Sequence, residues 1–335
     1  MTPIILRRLI NIALLLALGV VTLGAYTRLS DAGLGCPDWP GCYGHLVLPS
    51  QQQALQTAQN LYPDVPIEAA KAWTEMAHRY LAGSLLSFIL VILSVLTFHP
   101  AYKGQIRPIY LVSVIGLMIF QAALGMWTVT LKLLPTVVMG HLLGGFLIFS
   151  VLTILRCHFL QIELLNLKKW RWLLACGVML TFLQIALGGW VSSNYAGISC
   201  IGFPTCSGEW VPHLNLKDAF DFIHPIGMNY QGGVLDIDAR MTIQWVHRLG
   251  ALIIWLFWLG VSIVLWRSVK DVNVRRAIIG LQLLLCIQIA LGVINVVYML
   301  PIESAVLHNG VGVLVLAATI VLTCIVAGKR DFKNV

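Results

Sequence analysis

Four of the nine histidines in the sequence carry the most chemistry: His78, His141, His247 and His308. Each lies a few residues inside an otherwise apolar segment. An ionisable side chain in a bilayer is costly and ordinarily faces the interior of a helix bundle. A core hydrogen bond explains one such histidine readily, but four in matching positions ask for a shared purpose. Imidazoles projecting inward from facing helices are a common way for a bundle to hold a cofactor. Haem iron takes axial imidazoles. Zinc wants three or four protein ligands, and no third Cys, His or Asp falls at that depth. Gly83, Gly140, Gly144, Gly145, Gly250, Gly310 and Gly312 leave room near the histidines for a flat guest, although glycine is also an ordinary contact between membrane helices. No C-x-x-C-H occurs, so any haem is held without covalent attachment.

Glu75 stands one helical turn before His78 on the same face. The matching position before His247 is Gln244. A carboxylate can move a proton or steady a cation and an amide cannot, so the two surroundings differ in chemistry. An interfacial Glu75, or one paired with Arg79, is the plainer alternative. Arg79 and Arg248 directly follow two of the histidines, and Arg28 ends the first apolar run. A guanidinium matches a carboxylate through two parallel hydrogen bonds, so the haem propionates are candidate partners, with snorkelling to headgroups as the alternative. Glu303 is a weaker ionisable candidate. His45, His213 and His224 fall in loops, and His99 and His158 at helix ends, where solvated or interfacial rings need no special function.

The elements that position these residues are membrane helices. Of 335 residues, 59% are apolar and 11% charged, far from the quarter or so charged in soluble domains. Eight runs are long enough to span a bilayer: 9–28, 77–98, 106–130, 137–158, 171–192, 242–266, 276–298 and 304–327. They are continuous rather than alternating, which selects helices over a barrel. The net charge of +8 is a topology signal rather than a nucleic-acid footprint. Arg7, Arg8, Lys103, Arg107, Arg156, Lys168, Lys169, Arg171, Arg267, Lys270, Arg275, Arg276, Lys329, Arg330 and Lys333 fall at the termini or in the short even-numbered loops. Asp31, Asp38, Asp64, Glu68, Glu209, Asp218, Asp221, Asp236 and Asp238 fall in the two long odd-numbered loops. The positive-inside rule then places both termini in the cytoplasm. Residues 1–25, ending in a passable cleavage site at Leu23, Gly24 and Ala25, read as a span rather than a signal peptide, because the run is long.

The chain repeats itself. TRLSDAGLGCPDWPGC (27–42) aligns with VSSNYAGISCIGFPTC (191–206), bringing Ala32, Gly33, Cys36 and Cys42 onto Ala196, Gly197, Cys200 and Cys206. EMAHR (75–79) then matches QWVHR (244–248), QAALG (121–125) matches QIALG (288–292), and His141 matches His308. Ordered correspondences of this kind mark a duplicated unit. The expectation is an all-α polytopic membrane protein of two pseudo-two-fold related four-helix bundles, 1–165 and 166–335. Both halves cross the membrane in the same sense. The stretch from Ser50 to Asn60 is expected to form a short interfacial helix. Cys36 with Cys42, and Cys200 with Cys206, face the oxidising side, where disulfides persist. Closing so short a loop stabilises by about 2 kcal/mol. A structural staple and a redox function near the haem are both open for these pairs. Zinc on Cys36, Cys42 and His45 is a further alternative. Cys157, Cys176, Cys286 and Cys324 read as small apolar residues.

Taken together, the eight runs, the duplicated halves, E-x-x-H-R at Glu75–Arg79, the histidines at 141, 247 and 308 and the outer cysteine pairs resemble the haem A synthase family over nearly the whole chain. The resemblance implies oxidation of the C8 methyl group of haem O to a formyl group, giving haem A for cytochrome oxidase, with water as oxygen source. It implies His78 and His141 as ligands of the substrate haem O, Glu75 as the catalytic carboxylate, and His247 and His308 as ligands of a haem b cofactor. It also implies an electron-transfer part for Cys36 and Cys42. The partners expected are haem O handed on by haem O synthase, an electron acceptor, the bilayer of the bacterial inner membrane and further copies of the chain. A di-haem b-type electron carrier would explain the histidines but not the contrast between Glu75 and Gln244. A transporter would place its site in broken helices near the midplane, away from these histidines.

Overall fold

The computed structural model describes residues 3–48, 52–63, 65–160 and 164–328. Asp64 and the C-terminal Lys329, Arg330 and Lys333 lie outside them, as do Ser50 and Gln51. Eight helices are long and apolar enough to cross a membrane: α1 (Pro3–Leu29), α3 (Ala69–Phe98), α4 (Pro108–Thr130), α5 (Pro135–His158), α6 (Arg171–Ser193), α8 (Ile237–Ser268), α9 (Val272–Val297) and α10 (Ile302–Ala327). Two shorter helices, α2 (Gln52–Leu61) and α7 (Leu216–Ala219), lie in the long loops. The first of these is a helix where the stretch up to Asn60 is expected to form one. The chain is an all-α polytopic membrane protein.

Local sequence explains where the helices start. Pro108 and Pro135 open α4 and α5, where a missing N–H costs nothing. Asp236 caps α8 by accepting from Ala239 N–H at 2.7 Å, and Asp271 caps α9 through the N–H groups of Asn273 and Val274. The short links into α5 and α10 each turn through two residues of positive φ: Lys132 and Leu133 in one, Met299 and Leu300 in the other. Helix α3 begins eight residues before its apolar run. Its early turns bear Lys71, Glu75 and His78, so the helix continues where hydropathy falls away. The disulfide-bonded loop packs against that extension. A Cβ at Gly35 would come within 2.6 Å of the Lys71 backbone carbon, a distance only glycine allows.

Helix α1 pairs with α3, α6 with α8, α4 with α5 and α9 with α10, while α5 and α10 pack on each other and each meets α1 and α6. Those four helices form the centre. A Cβ at Gly310 of α10 would sit 2.9 Å from Thr22 Cγ2 of α1. Close backbone approach at a small residue is how membrane helices associate without a hydrophobic driving force. Helix α1 runs unbroken through Leu23, Gly24 and Ala25 and packs on α3, α5 and α10. Outward faces carry large apolar side chains such as Leu90, Ile119, Phe120 and Leu256, as contact with lipid requires.

Candidate functional site

Helices α3 and α5 bring His78 and His141 together edge to face, with ring centroids 6.4 Å apart and planes at 79°. A metal–imidazole nitrogen bond is about 2 Å. Two rings clasping one iron from opposite sides therefore have centroids roughly 6 Å apart. The observed separation fits a shared iron. His247 stands on α8 and His308 on α10, at the places matching His78 and His141 in the repeat. The buried Nδ1 atoms of His78, His141 and His308 have no hydrogen-bond partner among the described residues. Such orphaned nitrogens suit rings whose partner is a ligand rather than protein.

Each ring rests on a glycine of the preceding span. A Cβ would meet the ring Cε1 at 2.8 Å from Gly24 for His78, 3.1 Å from Gly125 for His141, 3.1 Å from Gly188 for His247 and 3.2 Å from Gly292 for His308. Sequence reasoning missed these seats. It met Gly24 only as part of a cleavage site, and Gly125 and Gly292 only as markers of the repeat. The signal available was their place one span before each histidine.

Glu75 is buried, at 4% exposure. Its Oε2 accepts from the Cys36 N–H at 2.9 Å, and its Oε1 pairs with the Arg79 guanidinium. The carboxylate is thus fixed one turn from His78 and tied to the disulfide-bonded loop. Gln244 instead donates from Nε2 to the Gly197 carbonyl at 3.2 Å. Cys36 and Cys42 form one disulfide, Cys200 and Cys206 the other. This occupies the thiolates that zinc would need, and no metal-ligating cluster of three residues occurs among the described residues. Beside the first disulfide the buried Tyr43 donates to the Pro66 carbonyl at 3.0 Å. Burial pushes its phenol up, and Glu68, Glu75 and Asp38 add to the effect, so it stays a donor.

The three arginines hold backbone rather than open space. Arg79 donates to the carbonyls of Asp38, Pro40 and Gly41. Arg248 donates to Gly202 at 2.9 Å, Thr205 at 3.1 Å and Cys200. Arg28 donates to the Ser192 carbonyl at 2.9 Å and stacks 3.9 Å above the Tyr195 ring, joining the end of α1 to the end of α6. Arg79 and Arg248 therefore clamp the two disulfide loops over the histidine-bearing helices. Replacing Arg248 with Met should leave three carbonyls without their charged donor and cost about 1–3 kcal/mol. Thermal unfolding in detergent would measure this, and an unchanged midpoint would remove the clamp function.

The remaining candidates lie apart. Glu303 is exposed in the first turn of α10. His213 pairs with Asp238 at 3.1 Å on the surface, and His224 packs on Trp190 and Tyr230. His45 bonds through its backbone to Cys42. Cys157 on α5 and Cys324 on α10 are free cysteines, the first buried and the second partly so.

Comparison with known proteins finds one family whose model matches residues 7–320, described as cytochrome oxidase assembly protein, COX15-CtaA. A haem A synthase of Shewanella oneidensis is 43% identical over 318 residues, covering 94% of each chain. Haem A synthases of Mesorhizobium japonicum and Neorickettsia sennetsu are 28% and 24% identical, covering 93% and 90% of this chain and 88% and 93% of theirs.

Proposed function

The chain belongs to the haem A synthase family, and on that premise we propose that it converts haem O to haem A for cytochrome oxidase. The carrying observation is the His78–His141 pair, spaced to share one iron with Glu75 fixed one turn away. The reaction takes a methyl group and one water to a formyl group, releasing four protons and four electrons. The half 1–165 binds haem O, with His78 and His141 as its axial ligands. Glu75 takes protons released during the oxidation or steadies positive charge at the reacting carbon. The half 166–335 holds haem b through His247 and His308. That haem supplies one-electron transfer when bound. Arg79 and Arg248 hold the loops that cover the two sites, and the disulfides staple those loops.

The basic short loops support an orientation with both termini in the cytoplasm and the disulfide face outside the bacterial inner membrane. The electrons leave to an acceptor carried by another molecule, and haem O arrives from the enzyme that makes it.

Purified protein supplied with haem O should show a Soret band and yield haem A together with haem B on extraction. Haem B alone, with haem O untouched, would favour a di-haem carrier. A protein without Soret absorbance would return the transporter reading.

A further inference from the structure

Helices α1, α4, α6 and α9 each carry a further residue in a shared place, four positions before the glycine that seats a histidine. These residues are Val20, Gln121, Gln184 and Gln288. The side chains at these positions divide three to one. Gln121 donates from Nε2 to the His141 carbonyl at 2.8 Å. Gln184 donates to the His247 carbonyl at 2.8 Å, and its Nε2 lies 3.1 Å from the ring Nδ1. The Nε2 of Gln288 lies 3.2 Å from His308 Nε2. Val20 has nothing to donate. Among the described residues no side chain hydrogen-bonds from α1 to α3.

A second difference accompanies the first at two of the three braced turns, those of His141 and His247; the His308 turn carries Val311 at the same place. Gln184 Oε1 occupies space that a Cβ at Gly250 would enter, at 2.2 Å, and Gln121 Oε1 does the same at Gly144, at 2.0 Å. Each of these glycines lies three residues after its histidine. Three residues after His78 stands Leu81, whose Cδ2 would lie 3.3 Å from a Cβ at Gly19. A polar amide with a glycine pocket has been exchanged for two apolar side chains. The exchange falls on the half whose guest must arrive and leave.

We propose that Gln121, Gln184 and Gln288 are positioning residues bracing three histidine-bearing turns, and that Val20 with Leu81 leaves the His78 turn as the one that yields iron during haem exchange. This rests on the reading of the histidines as haem ligands. An amide bridging two membrane helices holds the ligand's turn at a fixed distance from its neighbour. Such bonds change an equilibrium by roughly three- to twentyfold each. On its α1 side His78 meets Gly24 by ring packing, and the ties its turn makes through Glu75 and Arg79 run to the loop rather than to another span, so the turn can move away with the loop while His141 stays in place.

The test follows haem leaving the full chain in detergent, loaded with haem O and haem B and mixed with excess apomyoglobin as acceptor. Two phases of Soret change are expected, with haem O leaving in the fast one. Val20→Gln with Leu81→Gly installs the braced pair and should slow the fast phase roughly three- to twentyfold, leaving the slow phase unchanged. Gln184→Val with Gly250→Leu should speed the slow phase and spare the fast one. The two variants push in opposite directions, so one that fails to accumulate in membranes leaves the other to decide. An unchanged fast phase in haem-loaded V20Q/L81G, or an unchanged slow phase in Q184V/G250L, overturns the inference alone. If the parent chain binds no haem, the functional reading falls and this inference with it.

Discussion

Glu75→Gln is expected to abolish haem A formation while leaving the haems bound. The amide has nearly the carboxylate's shape and can still accept from the Cys36 N–H. Arg79 would lose its ion pair but keep the carbonyls of Asp38, Pro40 and Gly41. The loop should therefore stay closed over His78, as the loop beside Gln244 does without a carboxylate. What disappears is a buried group able to take a proton. Positioned acid–base groups contribute about 10²–10⁴ in rate, so turnover should fall by at least about a hundredfold. Haem extraction after incubation with haem O gives the product yield, and the Soret band gives occupancy. Parental yield from Glu75→Gln would strip Glu75 of its catalytic assignment and leave it as part of the loop clamp.

What could be read from the sequence follows from how strongly each residue departs from its surroundings. His78, His141, His247, His308 and Glu75 stand out because ionisable groups are rare in apolar runs. The structure then brings His78, His141 and Glu75 together. The arginines were legible as charges but not as clamps. Their partners are backbone carbonyls some forty residues away, and a carbonyl has no sequence signature. Arg28 shows the same gap, because its contacts on α6 and Tyr195 depend on how the two halves meet. The glycine seats were hidden for the opposite reason: glycine is so common between membrane helices that Gly188 draws no notice until a ring is seen against it. Hydropathy also placed the start of α3 at residue 77 rather than at Ala69, since it reports where lipid ends and not where the helix does.

The second large effect concerns the ligands themselves. His247→Gly should lose the resident haem B and keep the site for haem O, whereas His78→Gly should do the reverse, each removing about half of the bound haem. Glycine at either position opens a hole the size of one imidazole ring beside Gly188 or Gly24, whose bare backbone already faces that space. Free imidazole should enter the hole, donate to iron and restore the Soret band. A polar or charged replacement would add a group the bundle cannot satisfy and would confuse lost ligation with lost folding. The pattern of loss is more telling than its size. The substrate assignment of 1–165 requires that His78→Gly stop product formation with haem B still in place. His247→Gly must keep binding haem O yet fail to turn it over, because electrons no longer have a route out. If each variant lost both haems equally and imidazole returned neither, the histidines would be bracing a single bundle. The division of labour between the halves would then have no physical basis.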